Sequence, residues 1–348
     1  MNAQRSSDSV SASSWRSARL FVTDEFAAPP VILRVDDSVI GTLGNFSAST
    51  GKAKSKKTFN VCAIVAAAMT GGTVLNYSAS LPPEKRRILY VDTEQSRFHC
   101  KRVLCRILRL AGLPTDVHPP LLEFLCLRGY ATKERLRKIE EAIYDLDDLG
   151  LVVIDGIRDL AHDINSPGEA TDLITKLMQW TDERRIHIHT VLHLNKGDDN
   201  TRGHLGTELN NKAETVLQIT KDDFDRDISS VAAMHIRDRD FEPFAFRIND
   251  DALPEPVEDY QPRPTSAARS FDYAEVCEAK HREALELLFS ETDRVSYSSL
   301  IGRLQCSYAA IGHSFGINKA KQLKVFLENK RMIVKEDKFY RYNPDFHY

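Results

Sequence analysis

Gly51-Lys52-Ala53-Lys54-Ser55-Lys56-Lys57-Thr58 is the stretch of this chain whose residue types and spacing suit the holding of phosphate. Gly51, Lys57 and Thr58 meet the pattern Gly-x-x-x-x-Gly-Lys-Ser/Thr, and Lys56 stands at its second glycine. The chemistry asks for a tight loop whose backbone N–H groups face an anion at the start of a helix, whose dipole adds positive potential. On this reading Gly51, Lys52, Ala53, Lys54, Ser55, Lys56, Lys57 and Thr58 hold the phosphates of ATP. Lys57 sits on the β- and γ-phosphates, and the Thr58 hydroxyl sits on Mg2+. The competing reading is a solvated basic turn, since Lys52, Lys54, Lys56 and Lys57 also form a charge run.

Hydrolysis at such a loop needs further groups at strand ends. Asp155 follows the apolar run Leu151-Val152-Val153-Ile154, which delivers a carboxylate to the edge of a sheet beside the metal. The same pattern also occurs at ordinary strand-to-loop transitions. Glu94, in Tyr90-Val91-Asp92-Thr93-Glu94-Gln95, is the candidate base for the attacking water. Asp92 is its rival, and helix capping by Asp92 or Thr93 accounts for the same residues. His193 closes another apolar run and is placed to sense the γ-phosphate, or to serve structure alone.

The elements that must position these groups alternate. Asn45–Thr50 is expected as a short strand, Thr58–Met69 as a buried Ala-rich helix ended by Gly71-Gly72, Ile88–Asp92 as a strand and Phe98–Ala111 as a helix. Leu121–Leu127 is an apolar run, Lys133–Leu149 an amphipathic helix, Leu151–Asp155 a strand buried on both faces, Glu169–Arg184 a helix and Ile186–Leu192 a strand. Thr215–Thr220 and Ser229–Ile236 complete this half. The fold class is α/β: a mainly parallel sheet with helices on both faces. Leu20–Ile40 reads as a lead-in that covers the sheet.

Prolines 254, 256, 262 and 264 mark a linker. Beyond it, helices at Tyr273–Phe289, Ser298–Leu304 and Asn318–Asn329 and a hairpin of Met332–Val334 with Phe339–Tyr342 describe a small winged-helix module. The expected organisation is a tail over 1–18, an ATPase domain over 19–250, the linker over 251–270 and the winged helix over 271–348.

Composition bounds the partners. The net charge of -3 with 28% charged residues excludes a globally basic nucleic-acid binder, so any such contact is a local patch. From Ile301 to Tyr348, however, nine Lys and Arg face four acids, about +5 in total. Six cysteines without a C-x-x-C pair point to a reducing, cytoplasmic setting, and no run of about 18 apolar residues predicts a membrane span. The Ser-rich first 18 residues are expected to be disordered.

In the order of these motifs the chain resembles the RecA-like core of the KaiC, RadA and RepA/DnaB-type ATPases, over about residues 40 to 250. The motifs that carry the resemblance are the phosphate loop, Asp92-Thr93-Glu94, Asp155, His193-Leu194-Asn195-Lys196 and Arg202-Gly203-His204-Leu205-Gly206-Thr207. The resemblance implies that Arg239, with Arg237 beside it, reaches the γ-phosphate held by a neighbouring subunit. Without it, Arg237 and Arg239 read as exposed arginines paired with Asp238 and Asp240. It also implies a homo-oligomer, such as a hexameric ring, and a DNA-facing loop at Gly203–Thr207, beside which Asp198-Asp199 would repel phosphate. Among such proteins the nearest pattern is that of RepA-like ATPases of plasmids and mobile elements, a helicase or helicase loader. A nucleotide-dependent switch of KaiC type and a nucleotide binder without turnover are the other readings. The winged helix, Asn318 to Tyr342, is expected to contact DNA, and such modules also dock proteins.

Overall fold

The computed structural model describes residues 15–194, 203–222, 225–258, 260, 273, 274 and 276–346. The chain divides into two compact units, Met1–Gln261 and Pro262–Tyr348. The tail expected over 1–18 lies outside the described residues up to residue 14, and Trp15–Ala18 forms a short 3-10 turn.

In the first unit, β1 (Val31–Val35) and β2 (Ser38–Thr42) form an antiparallel hairpin turned at Asp36, whose φ is 50°. β3 (Phe46–Gly51) leads into the phosphate-loop candidate, and α1 (Lys57–Thr70) leaves it. β4 (Thr73–Val74) and β5 (Tyr77–Ala79) then return to β1 in a small sheet ordered β2-β1-β5-β4. Ile32, Leu33, Val35 and Ile40 share one apolar core with Val61, Ile64 and Val65 of α1. The lead-in therefore builds a separate small sheet, which shares its core with α1.

The main alternation follows: β6 (Arg87–Asp92), α2 (Arg97–Leu110), β7 (Leu122–Cys126), α3 (Thr132–Asp145), β8 (Leu149–Asp155), α4 (Pro167–Arg184), β9 (His187–His193), α5 (Gly203–Lys212) and β10 (Thr215–Lys221). β11 (Ile228–Ile236), β12 (Phe244–Ile248) and β13 (Pro254–Val257) finish the unit. Among the described residues a nine-stranded sheet runs β13-β12-β11-β10-β3-β9-β8-β6-β7. It is parallel from β10 to β7 and antiparallel from β10 to β13. β8 is buried along its whole length, as its unbroken apolar run requires of a central strand. Its two faces supply two cores, one with α1 and α2 and one with α3 and α4. Truncating Ile64, fully buried in α1, to Ala costs about 2–5 kcal/mol on the usual scale for core cavities.

Polar groups inside the sheet satisfy one another. Ser47 Oγ meets His187 Nε2 at 2.7 Å and His189 Nδ1 at 2.8 Å, and Ser49 Oγ meets His189 Nε2 at 2.9 Å. Burial pushes His189 down to about 3, so the ring is neutral.

Three expectations are corrected. The helix expected over Lys133–Leu149 ends at Asp145, and Leu149 already belongs to β8. A side chain at Gly150 would stand 1.9 Å from the Lys85 carbonyl, so the chain here passes hard against the segment before β6. Pro254 and Pro256, expected in the linker, lie in β13, an edge strand where a missing N–H is tolerated. The segment Gly203–Thr207, expected as a DNA-facing loop, is the first half of α5. Asn195, Lys196, Asp198, Asp199 and Arg202 lie outside the described residues.

The second unit contains α6 (Glu278–Phe289), β14 (Val295–Ser296), α7 (Tyr297–Ala310), α8 (Ile317–Asn329), β15 (Ile333–Glu336) and β16 (Phe339–Tyr342). The strands pair antiparallel in the order β14-β16-β15. The short strand β14 and the extra turns of α7 are additions to the expected pattern, and α6 starts five residues after Tyr273. Leu285, Leu300, Leu304, Leu323, Leu327 and Met332 form its core. No helix among the described residues of the chain is long and apolar enough to cross a membrane.

Candidate functional site

Gly51, Asp92, Asp155 and His193 each end a parallel strand, so the sheet order brings them to one edge. Clefts at the carboxyl ends of such strands are where open α/β sheets bind ligands. Here the cleft is about 380 Å³, and Lys54, Lys57, Thr58, Glu94, Asp155 and His193 are among its walls.

The loop is shaped by its backbone. A Cβ at Gly51 would stand 2.3 Å from the Ile219 carbonyl of β10 and 2.5 Å from Ser55 Oγ, so only glycine fits. Lys54 and Lys56 have φ of 65° and 66°, the left-handed conformation that glycine adopts without cost. Lys56 therefore takes the shape of the glycine it replaces, against a penalty of about 1–2 kcal/mol. Its Nζ donates to the Asp227 carbonyl at 2.6 Å, which anchors the side chain to the segment before β11. Burial lowers its pKa, and Asp227 opposes that shift.

Lys57, in the first turn of α1, is buried with Nζ donating to the carbonyls of Gly51 at 2.8 Å and Lys52 at 2.9 Å. Burial brings its pKa down to about 8, with Asp155 and Glu94 pulling the other way. Thr58 Oγ1 and the Tyr90 hydroxyl both donate to Asp155 Oδ2, each at 2.9 Å. Burial, and then the nearby Asp92, push the Asp155 carboxyl up to about 6.

Asp92 and Glu94 separate cleanly. Asp92 is fully buried; its Oδ1 accepts from the N–H groups of Glu94 and Gln95, and its Oδ2 from Gln95 Nε2 at 2.8 Å. It ties the turn ahead of α2, while Ser96 holds the N-cap position. Glu94 is exposed to the cleft, with Oε1 3.5 Å from His193 Nε2. Hydrogen bonding to His193 holds its carboxyl below the usual range. A Cβ at Gly156 would come within 2.8 Å of Glu94 Oε1, so the glycine after Asp155 makes room for it. Thr93 Oγ1 exchanges hydrogen bonds with Gly156, accepting from its N–H at 3.1 Å and donating to its carbonyl at 2.9 Å, which locks β6 to β8.

The residues present fit a nucleotide phosphate and a hard cation. Ser55 Oγ and His193 Nδ1 are buried and have no hydrogen-bond partner among the described residues. Thr58 and Asp155 offer the hydroxyl and single carboxylate that Mg2+ takes when phosphates and water complete its shell. Correspondingly, no cluster of three His, Cys, Asp or Glu suited to a metal exists among the described residues.

Arg237 and Arg239 are not in this cleft. Ile236, at the end of β11, pairs with Thr215, and Thr215 pairs with Ser47 near the start of β3, so both arginines are exposed at the opposite edge of the sheet. Arg237 Nη2 donates to the Lys212 carbonyl at 3.1 Å. Asp238, read as a partner of these arginines, accepts from the Val39 N–H at 2.8 Å.

Sequence reasoning missed Tyr90, which supports Asp155 from within the sheet, and the α2 side chains His99, Arg102 and Arg106, which line the cleft. Strand parity was the available signal for Tyr90, since it precedes Asp92 by two and pairs with Val153, two before Asp155.

The comparison with curated proteins gives no match. Among solved structures the chain is similar to the RadB recombinase, with 17% identity and a TM-score of 0.45 over 62% of this chain and 92% of that one. It is similar also to a KaiC-like protein from Pyrococcus horikoshii, with 14% identity and a TM-score of 0.43 over 62% of this chain and 91% of that one. More than half of the sequence, residues 16–199, matches the family model described as AAA domain, and on that match the chain belongs to the AAA domain family.

Proposed function

We propose that this chain is a Mg2+-dependent ATPase of RecA-like build that acts on DNA as a homo-oligomer. The observation that carries the reading is the meeting of Lys57, the Thr58–Asp155 pair and the Glu94–His193 pair at the edge of one cleft. Bound MgATP supplies a scissile phosphoanhydride and a cation that spreads its charge. Lys57 binds the phosphates, with its ammonium already aimed by two carbonyls. Thr58 and Asp155 hold the cation, and Asp155 is ionised at neutral pH despite its burial. Glu94 takes the proton of the attacking water as general base, and His193 orients that carboxylate and contacts the terminal phosphate.

Arg239, with Arg237, serves the cleft of a neighbouring subunit. Their place at the far edge of the sheet supports this, because an arginine there serves a second copy more readily than its own loop. The assembly is a ring, and a hexamer fits the resemblance. The second unit acts as a winged helix, with α8 and the β15–β16 hairpin carrying Lys319, Lys321, Lys335, Lys338 and Arg341 towards DNA phosphates. Helicase or helicase-loader work in the replication or mobilisation of a plasmid or mobile element, in the cytoplasm, is the biological form of this proposal.

The test is ATP turnover by wild type and Lys57→Ala, each with and without single- and double-stranded DNA. Turnover that needs Mg2+, rises with DNA and vanishes in the variant supports the whole reading. Turnover indifferent to DNA removes the DNA part in favour of a nucleotide switch, and binding without turnover removes hydrolysis.

A further inference from the structure

His187 and His189 are fully buried in β9, and Ser47 and Ser49 are buried beside them in β3. The chemistry of the cleft uses none of the four. Their neighbours Val191 and Leu217 belong to an apolar core, so a polar thread at this place is unfavourable unless every member is hydrogen-bonded. Space is also reserved for it: a Cβ at Gly41 of β2 would lie 3.0 Å from the Cε1 and Nε2 atoms of His187.

One carbonyl fixes the direction of every proton in the thread. The Thr42 carbonyl can only accept, so His187 Nδ1, 2.9 Å away, carries the ring hydrogen, and His187 Nε2 accepts from Ser47 Oγ. Having given its one proton, Ser47 Oγ accepts from His189 Nδ1, and His189 Nε2 accepts from Ser49 Oγ. Each bond therefore points from the phosphate-loop end of β3 towards the opposite edge of the sheet. Both ends meet parts of the site. Ser49 pairs with Val191, and the next pair on the same face is Gly51 with His193. At the other end Glu214 accepts from the Thr42 N–H at 2.9 Å and from the Thr42 hydroxyl at 2.8 Å. The Glu214 carbonyl accepts from the Arg237 N–H at 3.1 Å, and Asp238 accepts from Val39 in the same strand β2.

We propose that His187 and His189 are positioning residues, which set the Arg237–Arg239 turn from the phosphate loop of the same subunit. This rests on the reading that Arg239 serves a neighbour's cleft. A shift of β3 as phosphates fill the loop is not absorbed inside the thread, because any broken bond leaves a buried polar group unpaired. The movement passes instead to Thr42, to Glu214 and to the turn. A subunit that holds nucleotide thus brings its arginines fully into place, and an empty one does not. By linkage, arginines engaged on a neighbour raise the affinity of their own subunit for nucleotide.

The test mixes partners that are inactive alone. Arg239→Ala supplies intact clefts, and the arginines come from one of two donors: Glu94→Gln, which keeps nucleotide, or Lys57→Ala, which stays empty. The filled donor is expected to support about tenfold more turnover than the empty one, a usual size for coupling between sites. Adding Ser49→Ala/His189→Leu to both donors cuts the thread without stranding a donor group, since Ser47 still donates to His187, and is expected to abolish the difference. His189→Gln, whose amide has one donor and one acceptor, is expected to restore part of it. Equal support from filled and empty donors overturns the proposal, as does a difference that survives the cut. No support from any donor removes the trans arginine, and the positioning role with it. Should the cut donors fail to assemble, nitrogen NMR of the wild-type histidines decides: nucleotide is expected to shift the imidazole signals of His187 and His189, and unmoved signals overturn the proposal.

Discussion

Thr58 Oγ1 donates to Asp155 Oδ2 at 2.9 Å, joining the first turn of α1 to the end of β8. Two residues separated by 97 positions thus form one oxygen-donor pair, which Tyr90 steadies from behind. Removing the hydroxyl by Thr58→Ala is expected to weaken Mg2+ affinity about 10- to 100-fold, the range for losing a partner that orients a metal ligand. Magnesium titration of turnover checks it.

The same pair sets an acid limit. Asp155 is neutral below about pH 6, so cation affinity and turnover fall as pH drops through that value. A carboxyl whose folded pKa lies above its unfolded one opposes folding at neutral pH, and that penalty eases as pH falls from about 6 towards 3.8. Activity is therefore expected to fade near pH 6 while thermal melting shows no loss attributable to this group.

Lys57 sets the alkaline side. With its pKa lowered to about 8, the free protein loses this charge above that pH, and phosphate binding restores it. Nucleotide affinity is expected to decline between pH 7.5 and about 9.5. Calorimetry at about pH 8.5, in two buffers of different ionisation enthalpy, is expected to show proton uptake in wild type and none in Lys57→Met.

Lys56 gives a stability test. Lys56→Gly relieves about 1–2 kcal/mol of left-handed backbone, but loses a hydrogen bond worth about 0.5–1.5 and gains unfolded-chain entropy. The sum is expected to lie within about 1 kcal/mol of wild type. Lys56→Ala keeps the strain, and urea melts are expected to place it about 1 kcal/mol below the glycine variant.

Glu94→Gln is expected to lower turnover by about 10²–10⁴ while leaving nucleotide affinity near wild type, as removal of a general base does. His193→Ala withdraws the group that holds the Glu94 carboxyl down, so the titration of that carboxyl, followed by NMR, is expected to move up while the acid limit of turnover stays with Asp155. A carboxyl titration unmoved by His193→Ala sinks the coupling between the two residues.

Arg237 and Arg239 call for a mixing experiment. If each serves a neighbour, Arg239→Ala and Lys57→Ala are both inactive alone, yet a mixture regains part of the wild-type rate through subunits that keep one intact cleft beside one intact arginine. Additive inactivity in the mixture, with assembly verified by sedimentation, removes the trans role.

Much of the site was legible because its residues end strands. Asp155 follows an unbroken apolar run, and a strand buried on both faces leaves no other trace. The helix end at Asp145 was not legible, since Leu146 and Leu149 continue the helical period, and it is the pairing of Leu149 with Arg87, distant in sequence, that takes the chain into β8. Pro254 and Pro256 announced a break that an edge strand absorbs. Contacts across long separations were out of reach altogether. Lys56 meets the Asp227 carbonyl 171 positions away, and Arg106 meets Ala252 at 146, and no local pattern encodes either.

The two glycine positions of the loop answer to different masters. Gly51 is dictated by the Ile219 carbonyl of the adjacent strand, so a descendant that had lost all use for nucleotide would still need it to keep β3 beside β10. The position of Lys56 demands only a handedness, which a lysine tied down at its far end supplies. The glycine a pattern search rewards here is thus a mark of architecture, and where it finds none Lys56 holds the same backbone shape. In proteins of this build, the diagnosis of a working phosphate loop belongs with the lysine, the hydroxyl and the distant carboxylate.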